Sequence, residues 1–212
     1  MFFKLKKIYA GQTLLRILMN LGFKKYRLSG AVADIGGGRE PDYFDYFNMT
    51  QATSVTPVDS SLSGIDFEKD ALPFRNESVD TVVCANVLEH VYNHRFLIGE
   101  MKRILKRDGM LVGFVPFLIQ YHPDPHDYFR YTKEALLRLF ADAGFTDIEV
   151  REIGGGPFVA NFNNLILSVP RVMRVLLYPI YAGLDRLFLA LRPSATTRYP
   201  LGFIFSMRKP PL

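Results

Sequence analysis

Apolar residues along this chain keep two different rhythms. Between residues 5 and 22, Leu5, Ile8, Tyr9, Leu14, Leu15, Ile17, Leu18 and Leu21 recur at helical spacing, which predicts an amphipathic N-terminal helix ending at Gly22. Short β-type runs then alternate with helical ones. Strands are predicted at 31–35, 52–58, 63–67, 79–85, 110–117 and 145–153. The run 79–85 is apolar and β-branched throughout, as a strand covered on both faces requires. Helical spacing marks 96–106 and 133–143, the latter stopped by Gly144, and the aromatic-rich stretch 41–48 also reads as helical. The tail breaks the rhythm at Gly154-Gly155-Gly156-Pro157. Residues 158–191, interrupted by Pro170 and Pro179, predict two or three short helices ahead of a last strand at 201–207.

Alternating strands and helices predict an α/β fold: a Rossmann-like, doubly wound, seven-stranded and mostly parallel sheet. One domain spans 1–212. Within it, 1–27 forms the N-terminal helix, 28–152 the core, 153–198 an apolar helical insertion, and 199–212 the last strand and tail. In such sheets ligands sit beyond the carboxyl ends of the strands, so chemistry is sought just after each strand.

Composition narrows the classes. Of 212 residues one is cysteine, which excludes an internal disulfide and a cysteine-rich zinc site. Cys84 lies inside an apolar run and reads as a small core residue. Apolar runs stay short of the ~18–20 residues that cross a bilayer. The basic N-terminus is broken by Lys4, Lys6, Lys7, Gln12 and Arg16, unlike a signal-peptide core. Charge is unevenly spread. With +7 over residues 1–30 and +6 over 153–212 against +5 for the whole chain, residues 31–152 carry −8. Basic, apolar ends on an acidic body suit an anionic surface or simple solvated charge.

The first strand runs into Asp34-Ile35-Gly36-Gly37-Gly38. Glycines there let backbone approach a ligand, and Asp34 can accept hydrogen bonds within the turn or from a bound amino group. Pro41 stands where the dinucleotide fingerprint has its third glycine, which argues against a nicotinamide cofactor. Asp59 ends the second strand 23 residues after Gly36, where an acid can accept both hydroxyls of a ribose.

Taken in order, these segments resemble a class I S-adenosylmethionine-dependent methyltransferase of the "methyltransferase domain 11" type. The resemblance covers about residues 28–152 and rests on ADIGGGREPDYF, VDSS, IDFEKDALPFRNESVDTVVCANVLEHV, MKRILKRDGMLVGFVP and LFADAGF. It implies S-adenosylmethionine as cofactor and S-adenosylhomocysteine as product. By the same resemblance Asp34, Gly36, Gly37 and Gly38 hold the methionine part, and Asp59 with Ser60 the ribose. Asp66 reaches the adenine amino group and Phe67 lies near the ring, with Glu68 or Asp70 as alternatives for Asp66. Asn86 lies near the sulfur. The family often has a third glycine where this chain has Glu40.

All four histidines, His90, His94, His122 and His126, follow the predicted fourth and fifth strands. His122 or His126 can act as a base near neutral pH, and His90 either fixes its loop or joins the catalysis. Arg130 can pair with a carboxylate or phosphate, and Tyr128 and Tyr131 can stack on a sugar or ring. A metal site built from His90, His94, Asp124 and Asp127 lacks a recognised spacing, so none is expected. The expected acceptor is a small molecule, a glycan or a lipid-linked intermediate, needing a base only if it is a poor nucleophile. A catalytically silent scaffold on a membrane surface is the alternative, prompted by Glu40. The sequence Asn86-Val87-Leu88-Glu89 lacks the pattern of many base-methylating enzymes, so no nucleic acid is expected. The expected location is the cytoplasm, with the apolar, basic ends free for an anionic membrane surface or a homodimer contact.

Overall fold

A computed structural model describes residues 1–38 and 41–211. Its strands are β1 (Arg27–Ile35), β2 (Asn48–Val58), β3 (Val79–Ala85), β4 (Leu105–Pro116), β5 (Thr146–Gly154) and β6 (Pro200–Arg208). They form one sheet in the order β2-β1-β3-β4-β6-β5. β1 pairs parallel with β2 and β3, and β3 parallel with β4, while β6 runs antiparallel between β4 and β5. The chain leaves β1 to one side for β2 and returns to its other side for β3. That reversal opens a crevice at the carboxyl ends of β1 and β3.

The helices are α1 (Phe2–Tyr9), α2 (Leu14–Phe23), the single turn α3 (Ser60–Ser63), α4 (His94–Ile104), α5 (Lys133–Asp142), α6 (Pro157–Leu165) and α7 (Arg171–Leu191). One core sets Leu97, Met101 and Ile104 of α4 and Leu136 and Phe140 of α5 against Val82, Cys84 and Phe205. On the opposite sheet face Met19 and Phe23 of α2, with Tyr43 and Phe47, cover Val83, Val112 and Phe114. Cys84 is fully buried, as its apolar surroundings predict. A third core joins the two ends of the chain: Ile8, Leu14 and Ile17 pack with Val159, Phe162, Ile166 and Tyr178. The N-terminal segment and the insertion are thus one cap built on the sheet.

The structure corrects three sequence expectations. First, the N-terminal helix is two helices. Gly11 takes φ +100, outside the helical range, and Thr13 caps α2 by accepting from the Arg16 backbone N–H. Second, residues 63–67 form no strand, so among the described residues the sheet has six strands instead of seven. Local side-chain bonds take the backbone instead. Asp59 caps α3 through Ser61, the Asp66 carboxylate accepts from the Glu68 N–H, and the Asp70 carboxylate accepts from the Asp66 N–H. β2 is therefore an edge strand, exposed over most of its length. Third, Pro179 does not split the tail. α7 runs on for 21 residues through Pro179, with Tyr178 packed into the third core before it and Asp185 bonded to the start of α6 after it. The stretch 41–48 is helical only as a 3₁₀ turn over Asp42–Asp45. Glu40 lies outside the described residues.

Candidate active site

A cavity of about 900 Å³ opens at the crevice, and Gly36, Asp59, Ser60, Asp66, Phe67 and Asn86 all line it. Six of the residues singled out for cofactor contact, drawn from three separated segments, therefore meet in one place. Gly36 has φ +78, and a Cβ there would lie 2.4 Å from Val87, so only glycine fits this turn. Gly37 is held as tightly: a Cβ would come within 2.3 Å of the Tyr43 hydroxyl and closer still to Asp34. Gly38, also at positive φ, lines neither of the cavities at this end of the sheet.

Asp34 sits behind the glycine turn. It is fully buried, and its Oδ1 accepts from the Tyr43 hydroxyl at 2.5 Å, while Oδ2 has no hydrogen-bond partner among the described residues. Burial pushes its carboxyl up to about 7, against the lowering effect of the Tyr43 bond. An orphaned buried carboxylate oxygen beside a glycine turn suits a cationic amino group, and a cation would restore its charged form.

Asp59 stands at the carboxyl end of β2 with Oδ1 engaged by Ser61. Asp66 is half-buried and pairs with Lys69 at 3.1 Å; the Glu68 backbone N–H, followed by Lys69, holds its carboxyl below the usual range. Of the two alternatives to Asp66, Glu68 is already committed. Its two oxygens accept the backbone N–H groups of Tyr92 and Asn93, each at 2.6 Å, and tie the cavity wall to the loop after β3. Asp70 closes the Asp66 turn. Asn86 takes φ +57, a conformation that asparagine tolerates, directly after β3.

A second cavity, of about 460 Å³, adjoins the first and shares Gly36, Asn86, His90 and Asp124 with it. Its other walls include Arg16 and Met19 of α2, His122, and Asn163 of α6. The cap thus forms part of the site, which the sequence did not disclose. Its placement depends on Asp42. One Asp42 oxygen accepts from Arg16 at 2.6 and 2.9 Å, and the other accepts from Gln12 at 2.8 Å and Asn20 at 3.0 Å. Gln12, Arg16 and Asn20 are four residues apart, so one face of the α2 region is stitched to the segment after β1.

At the shared wall lies a network the sequence showed only in part. The His90 Nδ1 donates to the backbone carbonyl of His126, which leaves Nε2 as its basic nitrogen. Glu89 is completely buried, with neither carboxylate oxygen hydrogen-bonded among the described residues and one of them 3.7 Å from His90 Nε2. Burial pushes its carboxyl up to about 8, so it is mostly a neutral acid at pH 7. His122 stacks edge-on against His90 at 5.1 Å between ring centroids, and burial lowers its basicity. Arg130 reaches neither cavity. Its guanidinium is spent on Asp127 at 2.5 and 2.6 Å and holds that carboxyl down at about 2, while Asp127 also accepts from the His122 backbone N–H. Asp127 and Arg130 therefore position His122.

The remaining aromatic and histidine residues divide. Exposed His126 and Tyr128 line the larger cavity and lie 5.2 Å apart. Buried Tyr131 donates to the Leu88 carbonyl and supports the loop from below. His94 packs edge-on against Phe129 and Tyr131, away from both cavities. Glu89, His90 and His122 each bring a potential ligand atom within 4.8 Å of the others. His122 Nδ1 already sits 3.3 Å from the Arg130 guanidinium and 3.4 Å from Asp127, an ion pair that holds this ring in place.

Residues 40–113 match the family model for the methyltransferase domain. Over 92 residues the chain is 30% identical to a probable S-adenosylmethionine-dependent methyltransferase of Mycobacterium tuberculosis, covering 41% of this chain and 34% of that protein. The chain thus spans about a third of the length of that relative. Among solved structures, a chain of the Haloferax volcanii complex between the Trm112 methyltransferase activator and a protein described as a methyltransferase superposes with TM-score 0.59. The identity is 15% over 99% of this chain and 94% of that one. Phosphoethanolamine N-methyltransferase 2 of Haemonchus contortus, in complex with S-adenosyl-L-methionine, gives 0.55 at 17% identity, over 92% of this chain and 52% of that one. A Mesorhizobium loti S-adenosylmethionine-dependent methyltransferase gives 0.56 at 16% identity, over 92% and 95%.

Proposed function

We propose that this chain, which has the class I S-adenosylmethionine-dependent methyltransferase fold and carries the methyltransferase-domain segment at residues 40–113, moves a methyl group from S-adenosylmethionine to a small-molecule, glycan or lipid-linked acceptor. The observation that carries this reading is the pair of adjoining cavities with Gly36, Asn86, His90 and Asp124 as their common wall. A cofactor in the larger and an acceptor in the smaller would meet there. The Haemonchus contortus relative, named for a small-molecule acceptor and solved with S-adenosyl-L-methionine, supports the same class of chemistry.

When bound, the cofactor supplies an electrophilic methyl on a sulfonium. On this reading Asp59 accepts from the ribose hydroxyls, Asp66 from the adenine amino group, and Phe67 packs near the ring. The Gly36–Gly38 turn lets the methionine end approach, and the orphaned oxygen of Asp34 answers its ammonium. The acid-rich middle of the chain favours a cationic cofactor. His90 Nε2 takes the proton of an acceptor hydroxyl or amine as that atom gains the methyl group. His122, held by Asp127 and Arg130, orients the acceptor from the other wall. Holding nucleophile and methyl in line can itself supply roughly 7–11 kcal/mol.

Titration of the full chain with S-adenosylhomocysteine tests the reading. Saturable binding near one per chain is expected, followed by transfer of labelled methyl into a small-molecule, glycan or lipid fraction. Absence of binding at millimolar ligand would overturn it.

A further inference from the structure

α7 is buried on one side only. Tyr178 and Asp185 face the cap, whereas Val172, Leu176, Ile180, Leu184, Leu187 and Leu191 are between 41% and 75% exposed. Their spacing of three or four residues keeps them on one face of the helix, opposite the buried pair. α1 packs on α7 and adds Phe2 and Phe3, 82% and 43% exposed. A ridge of this length is beyond the scattered apolar residues of an ordinary surface.

The exposed charges on these two helices have one sign. Lys6, Arg171 and Arg186 are exposed on these two helices. Residues 1–33 hold no acid; Asp34 is fully buried, and Asp42 is tied to Arg16, Gln12 and Asn20. From residue 153 onward the one acid is Asp185, which is buried and accepts the backbone N–H groups of Gly156, Phe158 and Val159 at 2.8–2.9 Å. Its negative charge is thus spent on the N-terminus of α6. Two copies of this face brought together about a twofold axis would set basic rim against basic rim.

We propose that the α1–α7 face docks on an anionic lipid bilayer, with α7 lying in the interfacial plane. Among the described residues no helix is long and apolar enough to cross a membrane, so the helix lies on the surface with its apolar ridge at the acyl boundary. Lys6 and Arg186 then reach anionic headgroups. The same cap supplies Arg16, Met19 and Asn163 to the smaller cavity, so the docking helices and one wall of that cavity belong to one packed unit.

Flotation of the full chain with vesicles tests this apart from any methyl transfer. Binding is expected to phosphatidylcholine vesicles containing phosphatidylglycerol, and to be weaker on phosphatidylcholine alone and in high salt. Ile180→Glu with Leu184→Glu should abolish flotation while S-adenosylhomocysteine binding and helical circular dichroism persist. Lys6→Gln with Arg186→Gln should weaken binding to the anionic vesicles by about tenfold to thirtyfold. The proposal fails if the wild-type chain does not float with anionic vesicles, or if the Glu variants float as well as wild type. It fails equally if the chain is a dimer that the Glu variants dissociate and that shows no lipid binding. Because flotation does not depend on cofactor, its failure leaves the methyltransferase reading standing, and the reverse also holds.

Discussion

The carboxyl of Glu89 and the imidazole of His90, consecutive in the chain, face each other at 3.7 Å, the first fully buried and the second at the meeting of two cavities. Adjacent residues rarely confront one another, but a 3₁₀ turn over Leu88–His90 folds these two together. The folded chain keeps the Glu89 proton up to about pH 8, whereas the unfolded chain releases it near pH 4.3. Between those values the folded state binds the extra proton, so stability falls as pH rises, by up to ~1.4 kcal/mol per pH unit. Asp34, with its carboxyl pushed up to about 7, adds a drop of the same sign. Glu89→Gln keeps the shape and removes the titration. Urea unfolding at about pH 5 and about pH 8 should show a smaller loss of stability for the variant than for wild type. Equal losses would place the Glu89 proton elsewhere.

Asp59 is the test of the larger cavity. Its Oδ1 is used by Ser61, and on the proposed reading its carboxylate, which lines the cavity at the end of β2, accepts from the ribose. Charge-assisted hydrogen bonds are worth about 1.5–3 kcal/mol, so Asp59→Ala should weaken S-adenosylhomocysteine binding by roughly ten- to a hundredfold in calorimetry. Unchanged affinity refutes the assignment, and a loss of folding would be seen separately in the thermal midpoint.

The histidines are separable by kinetics. His90→Ala removes the nitrogen at the shared wall and should lower kcat by about 10²–10⁴ with cofactor affinity retained, if the acceptor needs a base. His126→Ala should change kcat little, because its contribution to His90 is a backbone carbonyl that survives the substitution. Arg130→Ala frees Asp127 and should raise the KM for acceptor through His122 more than it lowers cofactor affinity. A large kcat loss in His126→Ala with none in His90→Ala would reverse the roles.

What could be read from the chain follows its physics. β3 and β4 were legible because a strand covered on both faces must be a continuous apolar run. The glycine turn, Asp59 and Asn86 were legible because each lies directly after a strand, where the sheet opens. The expected strand at 63–67 was misleading because Ile65 and Phe67 supply an apolar pattern while Asp59, Asp66 and Asp70 bind nearby backbone. The split of the first helix turns on Gly11 and the Thr13 cap, signals that were present but weaker than the apolar spacing. Glu89 and Asp42 were missed for another reason. Asp42 takes its role from partners 22 to 30 residues away in sequence and Glu89 from burial, and no local pattern encodes either. Arg130 was legible as a carboxylate partner, but its carboxylate turned out to be Asp127, three residues away.

Asp185 joins the cap's packing to its chemistry. It reaches across from the middle of α7 and takes three backbone N–H groups at the start of α6, a helix whose N-cap residue Gly156 has no side chain to do so. Asp185→Ala leaves buried donors unsatisfied and should cost roughly 2–4 kcal/mol in denaturant unfolding. Asp185→Asn keeps one acceptor oxygen and should cost less. α6 supplies Asn163 to the smaller cavity, where the Asn163 side chain also accepts from the Leu15 backbone N–H of α2. Loosening α6 should therefore weaken acceptor binding before it touches the larger cavity, which α6 does not line. The expected result for Asp185→Ala at a temperature where it stays folded is near-normal S-adenosylhomocysteine affinity with a raised KM for acceptor. A stability change below about 0.5 kcal/mol would show that solvent replaces Asp185 at no cost, and the cap would then not depend on this contact.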